Sequence, residues 1–269
     1  MQHFIVIGNP ISHSKSPQIH HAFANSKGLT ISYRRQFCPD DAGSFRAVVE
    51  AFFAGGGVGA NVTLPFKEIA FELCSPDNGG ILSDYAATAK AVNTLTVRDG
   101  KLYGDNTDGR GLVSDLMSQG IDLQGKNIAI IGAGGATRGV ILPLMEQGAT
   151  LSIFNRTLAK AISLQDDFAT YRAISVHSLD ELAVGDFAFD VIINATSATT
   201  TGQTLTLSDK LTAQFAYDMM YGKPSAFLAH FAAQGVRTSD GYGMLIHQAK
   251  LAFELWTGVK IDLDKVNLA

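Results

Sequence analysis

Lys126 to Val140 reads KNIAIIGAGGATRGV, and this stretch decides the class of fold. After the polar pair Lys126 and Asn127, Ile128-Ala129-Ile130-Ile131 is an apolar run of the kind shown by a strand buried on both faces. Gly132-Ala133-Gly134-Gly135-Ala136 follows, and then Val140, Ile141, Leu144 and Met145 recur at helical spacing. Strand, glycine turn and helix in that order make a phosphate cradle. The glycines let the chain turn tightly and let a pyrophosphate approach the backbone, and the helix start offers unpaired N–H groups and a positive dipole end. The spacing departs from the full dinucleotide fingerprint, because Gly132, Gly134 and Gly135 hold positions one, three and four while Thr137 holds the sixth. Alone, the turn also reads as a plain strand-to-helix connection.

The next strand narrows the choice. Ala149 to Phe154 reads ATLSIF and ends in Asn155-Arg156-Thr157. In NAD sites an acidic residue about 20 positions past the glycines takes the ribose 2′-hydroxyl. Here Arg156 stands at the strand end, with Thr157 beside it and Lys160 one helical turn on. Cations and hydroxyls suit a 2′-phosphate, so the residues point to NADP rather than NAD.

Outward from this stretch, strands are expected at 128–131, 151–154, 191–194 and 215–218, and helices after Gly135, over 158–168, around 179–182 and over 225–234. Strands alternating with helices predict a parallel, doubly wound sheet. Asn194-Ala195-Thr196-Ser197 and Tyr217-Asp218-Met219-Met220-Tyr221 close two of these strands, where ligands of such sheets sit. Thr199-Thr200-Thr201 reads as a loop tip.

The N-terminal half has its own pattern. A first strand over Phe4–Ile7 runs into Gly8-Asn9-Pro10, and it reads as a strand and not as a leader peptide. Ser14-Lys15-Ser16-Pro17 follows; Pro17 opens a helix with Ser16 as its N-cap, and the two hydroxyls and the lysine also suit a carboxylate. Further strands are expected over 31–37 and 58–64, with a helix over 41–53 between them. In the second of these strands Asn61 and Thr63 share a face by alternation. Lys67 reads as a helix-start lysine. Helices are expected over 68–73 and 84–90, and Asp99-Gly100 marks a hairpin. Gly104-Asp105-Asn106-Thr107-Asp108-Gly109 precedes a helix and makes Asp108 a plausible N-cap. A final helix over 244–257 carries the apolar stripe Leu245, Ala249, Ala252 and Trp256, with Gly258 as its C-cap and Gln248 one position off the stripe, where glutamine is by default exposed.

Composition bounds the function. The net charge is −4, without a basic stripe, which argues against nucleic acid. No apolar span approaches membrane length. The two cysteines, Cys38 and Cys74, form no CxxC pair and suggest a reduced, cytoplasmic setting. The histidines form no HExxH motif or Cys/His cluster, so a metal site has no support.

Taken together, the motifs resemble the shikimate dehydrogenase family over nearly the whole chain. They are Gly8-Asn9-Pro10 with Ser14-Lys15-Ser16-Pro17, Gly59-Ala60-Asn61-Val62-Thr63-Leu64-Pro65-Phe66-Lys67, Ala91-Val92-Asn93-Thr94, Gly104 to Gly109, Gly132 to Ala136, Asn155-Arg156-Thr157 and Asn194 to Ser197, in that order. The resemblance implies an α/β protein of two domains with a cleft between them. One is a discontinuous catalytic domain over 1–107 and 241–269 with a mainly parallel sheet; the other is a Rossmann-like NADP-binding domain over 108–240. It implies reversible NADPH-dependent reduction of 3-dehydroshikimate to shikimate, in a monomer or homodimer. Lys67 would be the catalytic acid/base and Asp108 its partner. Ser14, Ser16, Asn61, Thr63, Lys67, Asn93, Asp108, Tyr221 and Gln248 would bind substrate. Gly132, Ala133, Gly134, Gly135, Ala136, Asn155, Arg156, Thr157 and Lys160 would hold NADP, with Met219 and Gly241 near the nicotinamide and Asp84 a further cofactor position. The chemistry agrees with the residues, since hydride delivery to a ketone leaves charge on oxygen that a lysine ammonium can neutralise and protonate. Lys90, the longer 75–80 loop and the 198–201 segment depart from the family pattern. Two alternatives stay open: a quinate/shikimate dehydrogenase with relaxed cofactor use, and a non-catalytic NADP-binding sensor.

Overall fold

The computed structural model describes residues 1–268, apart from the side chains of Thr200 and Thr201. The chain forms two compact units, Met1–Gly111 together with the chain from Ile246 onward, and Leu112–Leu245. The junctions lie at 111/112 and 245/246, four to five residues beyond the expected 107/108 and 240/241. Each junction falls inside a helix, so no turn residue marks it in the sequence.

The first unit holds strands β1 (Gln2–Gly8), β2 (Ile31–Phe37), β3 (Gly59–Val62), β4 (Ile81–Leu82), β5 (Thr94–Arg98) and β6 (Lys101–Asp105). Their order is β2-β1-β3-β5-β6-β4. β1 pairs in parallel with β2 and β3, whereas β3–β5 and β5–β6 are antiparallel. Helices α1 (Ser16–Ser26), α2 (Ala42–Ala54), α3 (Lys67–Leu73) and α4 (Asp84–Ala89) follow in chain order, and α5 (Asp108–Ser118) passes into the second unit at Leu112. Central β1 is buried on both faces, which is why its sequence is a continuous apolar run. Ile5 and Ile7 face a core with Phe45, Val49, Val62, Phe66 and Leu95. Phe4, on the other face, stacks on Trp256 at 5.1 Å, within an aromatic group that includes His20, Phe23, Tyr33 and Phe253. Asp41 caps α2 by accepting the Ser44 N–H at 2.8 Å. The hairpin turn places Asp99 and Gly100 at φ 52° and 73°, as its Asp-Gly pair predicts.

The second unit contains β7 (Asn127–Ile131), α6 (Gly135–Glu146), β8 (Thr150–Asn155), α7 (Leu158–Phe168), β9 (Ile174–Ser178), α8 (Leu179–Val184), β10 (Ala188–Asn194), α9 (Ala198–Thr201), β11 (Thr212–Asp218), α10 (Ala226–Ala233) and β12 (Arg237–Asp240). The last helix, α11 (Tyr242–Thr257), carries the chain back to the first unit. The strand order is β12-β11-β10-β7-β8-β9, and every pair is parallel. This is the doubly wound order, with its reversal between β7 and β10. A capping box between Ser178 and Glu181 starts α8.

Several local expectations are corrected. Ser16 is the first residue of α1 rather than its cap; Lys15 takes the cap position and no side-chain bond caps the helix. The strand carrying Asn61 ends at Val62, one residue before Thr63, whose N–H still bonds to the Ile7 carbonyl of β1. The 199–201 segment is part of a helical turn, not a bare loop tip. β4, β9 and β12 went unforeseen. β4 is two residues long, and β12 reads Arg-Thr-Ser-Asp on a sheet edge, without the apolar alternation that marks a strand.

Candidate active site and cofactor cradle

Lys67 begins α3 and Asp108 begins α5. Lys67 Nζ donates to Asp108 Oδ2 at 2.6 Å, and about a quarter of each side chain is exposed (29% and 24%), so the pair is reachable from solvent. The Lys67 carbonyl accepts the Val92 N–H at 2.9 Å, which ties the start of α3 to the segment before β5. Asn93, next in that segment, donates from Nδ2 to Asp108 Oδ1 at 2.7 Å and to Thr107 Oγ1 at 3.0 Å. Its Oδ1 accepts from the Thr107 N–H at 2.9 Å and the Thr94 hydroxyl at 2.8 Å. Asn93 is thereby held at both ends and holds Asp108 in turn.

Asp108 is the first residue of α5 and not its cap. Its own N–H goes to Asn106 Oδ1 at 3.1 Å, and its carboxylate is committed to Lys67 and Asn93. Gln248, which its place on the helix alone would leave exposed, is buried: its Oε1 accepts from Thr107 Oγ1 at 3.3 Å and Asn93 Nδ2 at 3.5 Å. α11 therefore brings a residue from the far end of the chain into this cluster.

Asn61 is buried as well. Its Oδ1 accepts the Tyr33 hydroxyl at 2.7 Å, and its Nδ2 donates to the Asn93 carbonyl and Thr94 Oγ1 at 3.2 and 3.3 Å. Both amide hydrogens are used inside the fold, which makes Asn61 a support for Asn93. Thr63 stays half-buried in the turn, its N–H bonded to the Ile7 carbonyl at 3.0 Å. After β1, the Ser14 hydroxyl donates to Ser16 Oγ at 3.2 Å and accepts the Ser16 N–H at 3.3 Å. Asp84 stands exposed in the first turn of α4, on a cavity of about 340 Å³ shared with Tyr85, Tyr103, Asp105 and Arg110.

In the second unit the glycine turn has the form of a cradle. Gly132 has φ +109°, a backbone that side chains rarely adopt, and its carbonyl accepts the Thr137 hydroxyl at 2.8 Å. Gly134, Gly135 and Ala136 are exposed at the start of α6, and a side-chain carbon at Gly134 or Gly135 would meet nothing within 4 Å. The end of β8 presents Arg156, Thr157 and Lys160 to solvent, while Asn155 Nδ2 closes the turn onto the Thr157 carbonyl at 2.8 Å. This open turn and cationic strand end fit a phosphorylated dinucleotide. Met219 and Gly241 adjoin: a side-chain carbon on Gly241 would fall 2.1 Å from the Met219 carbonyl oxygen. Tyr221 lies beside Tyr242, ring centroids 5.9 Å apart, and burial raises its phenol above the ordinary range.

Sequence reasoning missed Asp218. Fully buried at the end of β11, it accepts from Asn194, Thr199 and Ser225 on one oxygen and from the Met220 N–H on the other. It ties together the loops after β10 and β11, and only its place at a strand end hinted at this.

Among the described residues, no helix is long and apolar enough to cross a membrane. Residues 6–95 match the model of the shikimate dehydrogenase substrate binding domain, residues 114–213 that of shikimate / quinate 5-dehydrogenase, and residues 241–267 that of the shikimate 5′-dehydrogenase C-terminal domain. The shikimate dehydrogenase (NADP(+)) of Psychrobacter cryohalolentis is 55% identical over 100% of this chain and 97% of its own. A solved Ael1 enzyme from Pseudomonas putida has a TM-score of 0.90 at 36% identity, covering 98% of this chain and 96% of that one. The Thermus thermophilus shikimate 5-dehydrogenase, solved in complex with NADP(H) and shikimate, has a TM-score of 0.84 at 30% identity, covering 98% and 97%. With the three family segments in order and relatives matched from end to end, this chain belongs to the shikimate dehydrogenase family.

Proposed function

We propose that this chain catalyses the reversible NADPH-dependent reduction of 3-dehydroshikimate to shikimate, in the route to aromatic amino acids. The observation that carries the reading is the Lys67–Asp108 pair at 2.6 Å, accessible and braced by Asn93. NADPH supplies the hydride when bound. The residues of this chain manage the charge and the proton. As hydride reaches the ketone carbon, the oxygen gains negative charge; the Lys67 ammonium neutralises it and delivers a proton. Asp108 orients that ammonium, and because Asn93 holds its second oxygen it cannot swing away. In the oxidising direction Lys67 accepts the hydroxyl proton.

Ser14 and Ser16 seat the ring carboxylate with two adjacent hydroxyls. Asn61, Thr63, Asn93, Gln248 and Tyr221 complete the polar surround of the ring. Gly132 to Ala136 take the pyrophosphate at the start of α6. Asn155, Arg156, Thr157 and Lys160 take the 2′-phosphate, and the cations there favour NADP over NAD. Met219 and Gly241 border the nicotinamide, and Asp84 is a further cofactor contact. The test is initial-rate oxidation of shikimate and of quinate, each with NADP and with NAD. Fast turnover with shikimate and NADP alone is expected. Comparable rates with quinate or NAD would move the chain to the broader quinate/shikimate group, and NADP binding without turnover would identify a sensor.

A further inference from the structure

β2 is an edge strand of the first unit, and its alternate residues face α1. Tyr33 takes that face, stacking on His20 at 4.4 Å and giving its hydroxyl to Asn61. Arg35, two residues on, takes the same face and reaches the loop before α1. Its Nε and Nη2 both donate to the Ser14 carbonyl oxygen, at 2.9 and 2.6 Å, and Nη2 also donates to Gln18 Oε1 at 3.2 Å. These partners are neutral oxygens, and among the described residues no carboxylate forms an ion pair with Arg35. The guanidinium thus grips, through one main-chain oxygen, the loop whose Ser14 and Ser16 hydroxyls lie 3.2 Å apart, and its charge is not cancelled by a neighbouring acid.

We propose that Arg35 is the positioning residue of the carboxylate seat, resting on the reading above that Ser14 and Ser16 receive that carboxylate. It holds the Ser14 loop in place and sets the seat at positive potential, so that an anionic ring is selected over an uncharged analogue. It acts through Ser14 and its field, not by contact with the substrate. Being exposed, it is screened by salt, which makes the selection dependent on ionic strength.

The experiment compares shikimate with its methyl ester, which keeps the ring and hydroxyls but lacks the charge. Both are oxidised with NADP by the wild type, Arg35→Gln, Arg35→Lys, Lys15→Gln and the Ser14→Ala/Ser16→Ala double variant. Arg35→Gln is expected to reduce the preference for acid over ester by about fivefold, the range of a screened charge pair. The loss should lie in KM for shikimate, with kcat and KM for NADP unmoved. Added salt should bring the wild type toward the variant, and Arg35→Lys should retain most of the preference. Equal weakening of acid and ester by Arg35→Gln would reduce Arg35 to a loop brace and overturn the proposal. An equal or larger effect of Lys15→Gln, the other cation of the loop, would also overturn it. If the double serine variant leaves shikimate binding intact, the seat reading itself fails. If that variant weakens shikimate while Arg35→Gln leaves the acid-to-ester ratio unmoved, only the role of Arg35 fails.

Discussion

Lys67 and Asp108 are each the first residue of a helix, and their side chains meet at 2.6 Å. A helix start favours an anion and disfavours a cation. Asp108 sits where the backbone supports its charge, whereas Lys67 sits where the backbone opposes it. The carboxylate offsets the opposition at Lys67 and leaves its ammonium in an accessible, oriented position.

Replacing Lys67 by Ala should lower kcat by about 10²–10⁴-fold, the usual range for loss of a general acid. Affinity for NADP, followed by fluorescence titration, should hardly change. Turnover near the wild-type level would remove Lys67 from the chemistry. Asp108→Asn should cost less, because an amide can still accept from Lys67 but does not carry the countercharge.

Two glycines separate cofactor binding from folding. Gly134 has φ −98° and open space beside it, so Gly134→Ala should leave the melting temperature nearly unchanged while weakening NADP. Gly243 is different: a methyl group there would sit 2.1 Å from Asp115 Oδ1. Asp115 is buried and held by the Tyr217 hydroxyl at 2.6 Å and Gln119 Nε2 at 3.1 Å, so it cannot retreat easily. Gly243→Ala should destabilise by about 1–3 kcal/mol, the cost of overpacking. Calorimetry of both variants checks the contrast; a large loss of stability in Gly134→Ala would make that glycine structural.

Arg156 stands exposed at the end of β8, where an NAD site would have an acid. Arg156→Glu should raise KM for NADP by about tenfold or more, equivalent to the roughly 1.4 kcal/mol or more of a lost charge-assisted bond. KM for NAD should move little or fall. Unchanged discrimination in paired kinetics would assign the 2′-phosphate to other residues.

His20 is fully buried between Tyr33 and Trp256, and neither ring nitrogen has a hydrogen-bond partner among the described residues. Burial holds it down at about 3, with a partial offset from the nearby Asn61 amide. The unfolded chain binds a proton at this site below about pH 6.5, and the folded chain does not until about pH 3. Stability from His20 is therefore complete above the unfolded value and falls as the pH drops through that window, by on the order of 5 kcal/mol in all. His20→Phe should flatten the loss of stability between pH 6.5 and 4 in urea unfolding. An unchanged pH slope would assign acid sensitivity elsewhere.

The doubly wound half was legible because its signals are local. A strand buried on both faces must be apolar throughout, as Ile128 to Ile131 are, and a turn that admits a phosphate must be glycine-rich, as Gly132 to Gly135 are. The same locality exposed Arg156 and the Asp99-Gly100 hairpin. Edge strands such as β12 escaped, since a strand paired on one side needs no apolar alternation.

Local sequence patterns carry the α/β class, the cradle, the cation at the end of β8 and, through the order of the motifs, the family. The fold adds the partners with which each polar side chain makes its hydrogen bonds. Hydrogen-bonding capacity is finite, and only the fold shows where it is spent. Asn61 gives its amide hydrogens to the Asn93 carbonyl and to Thr94, and so braces Asn93. Gln248, unremarkable on a helix near the chain end, is buried against Asn93 and Thr107. Asp108 gives one carboxylate oxygen to Lys67, 41 residues away, and the other to Asn93. Such pairings join residues far apart in the chain, and no local pattern encodes them because the free energy that selects them arises only when the whole unit excludes water.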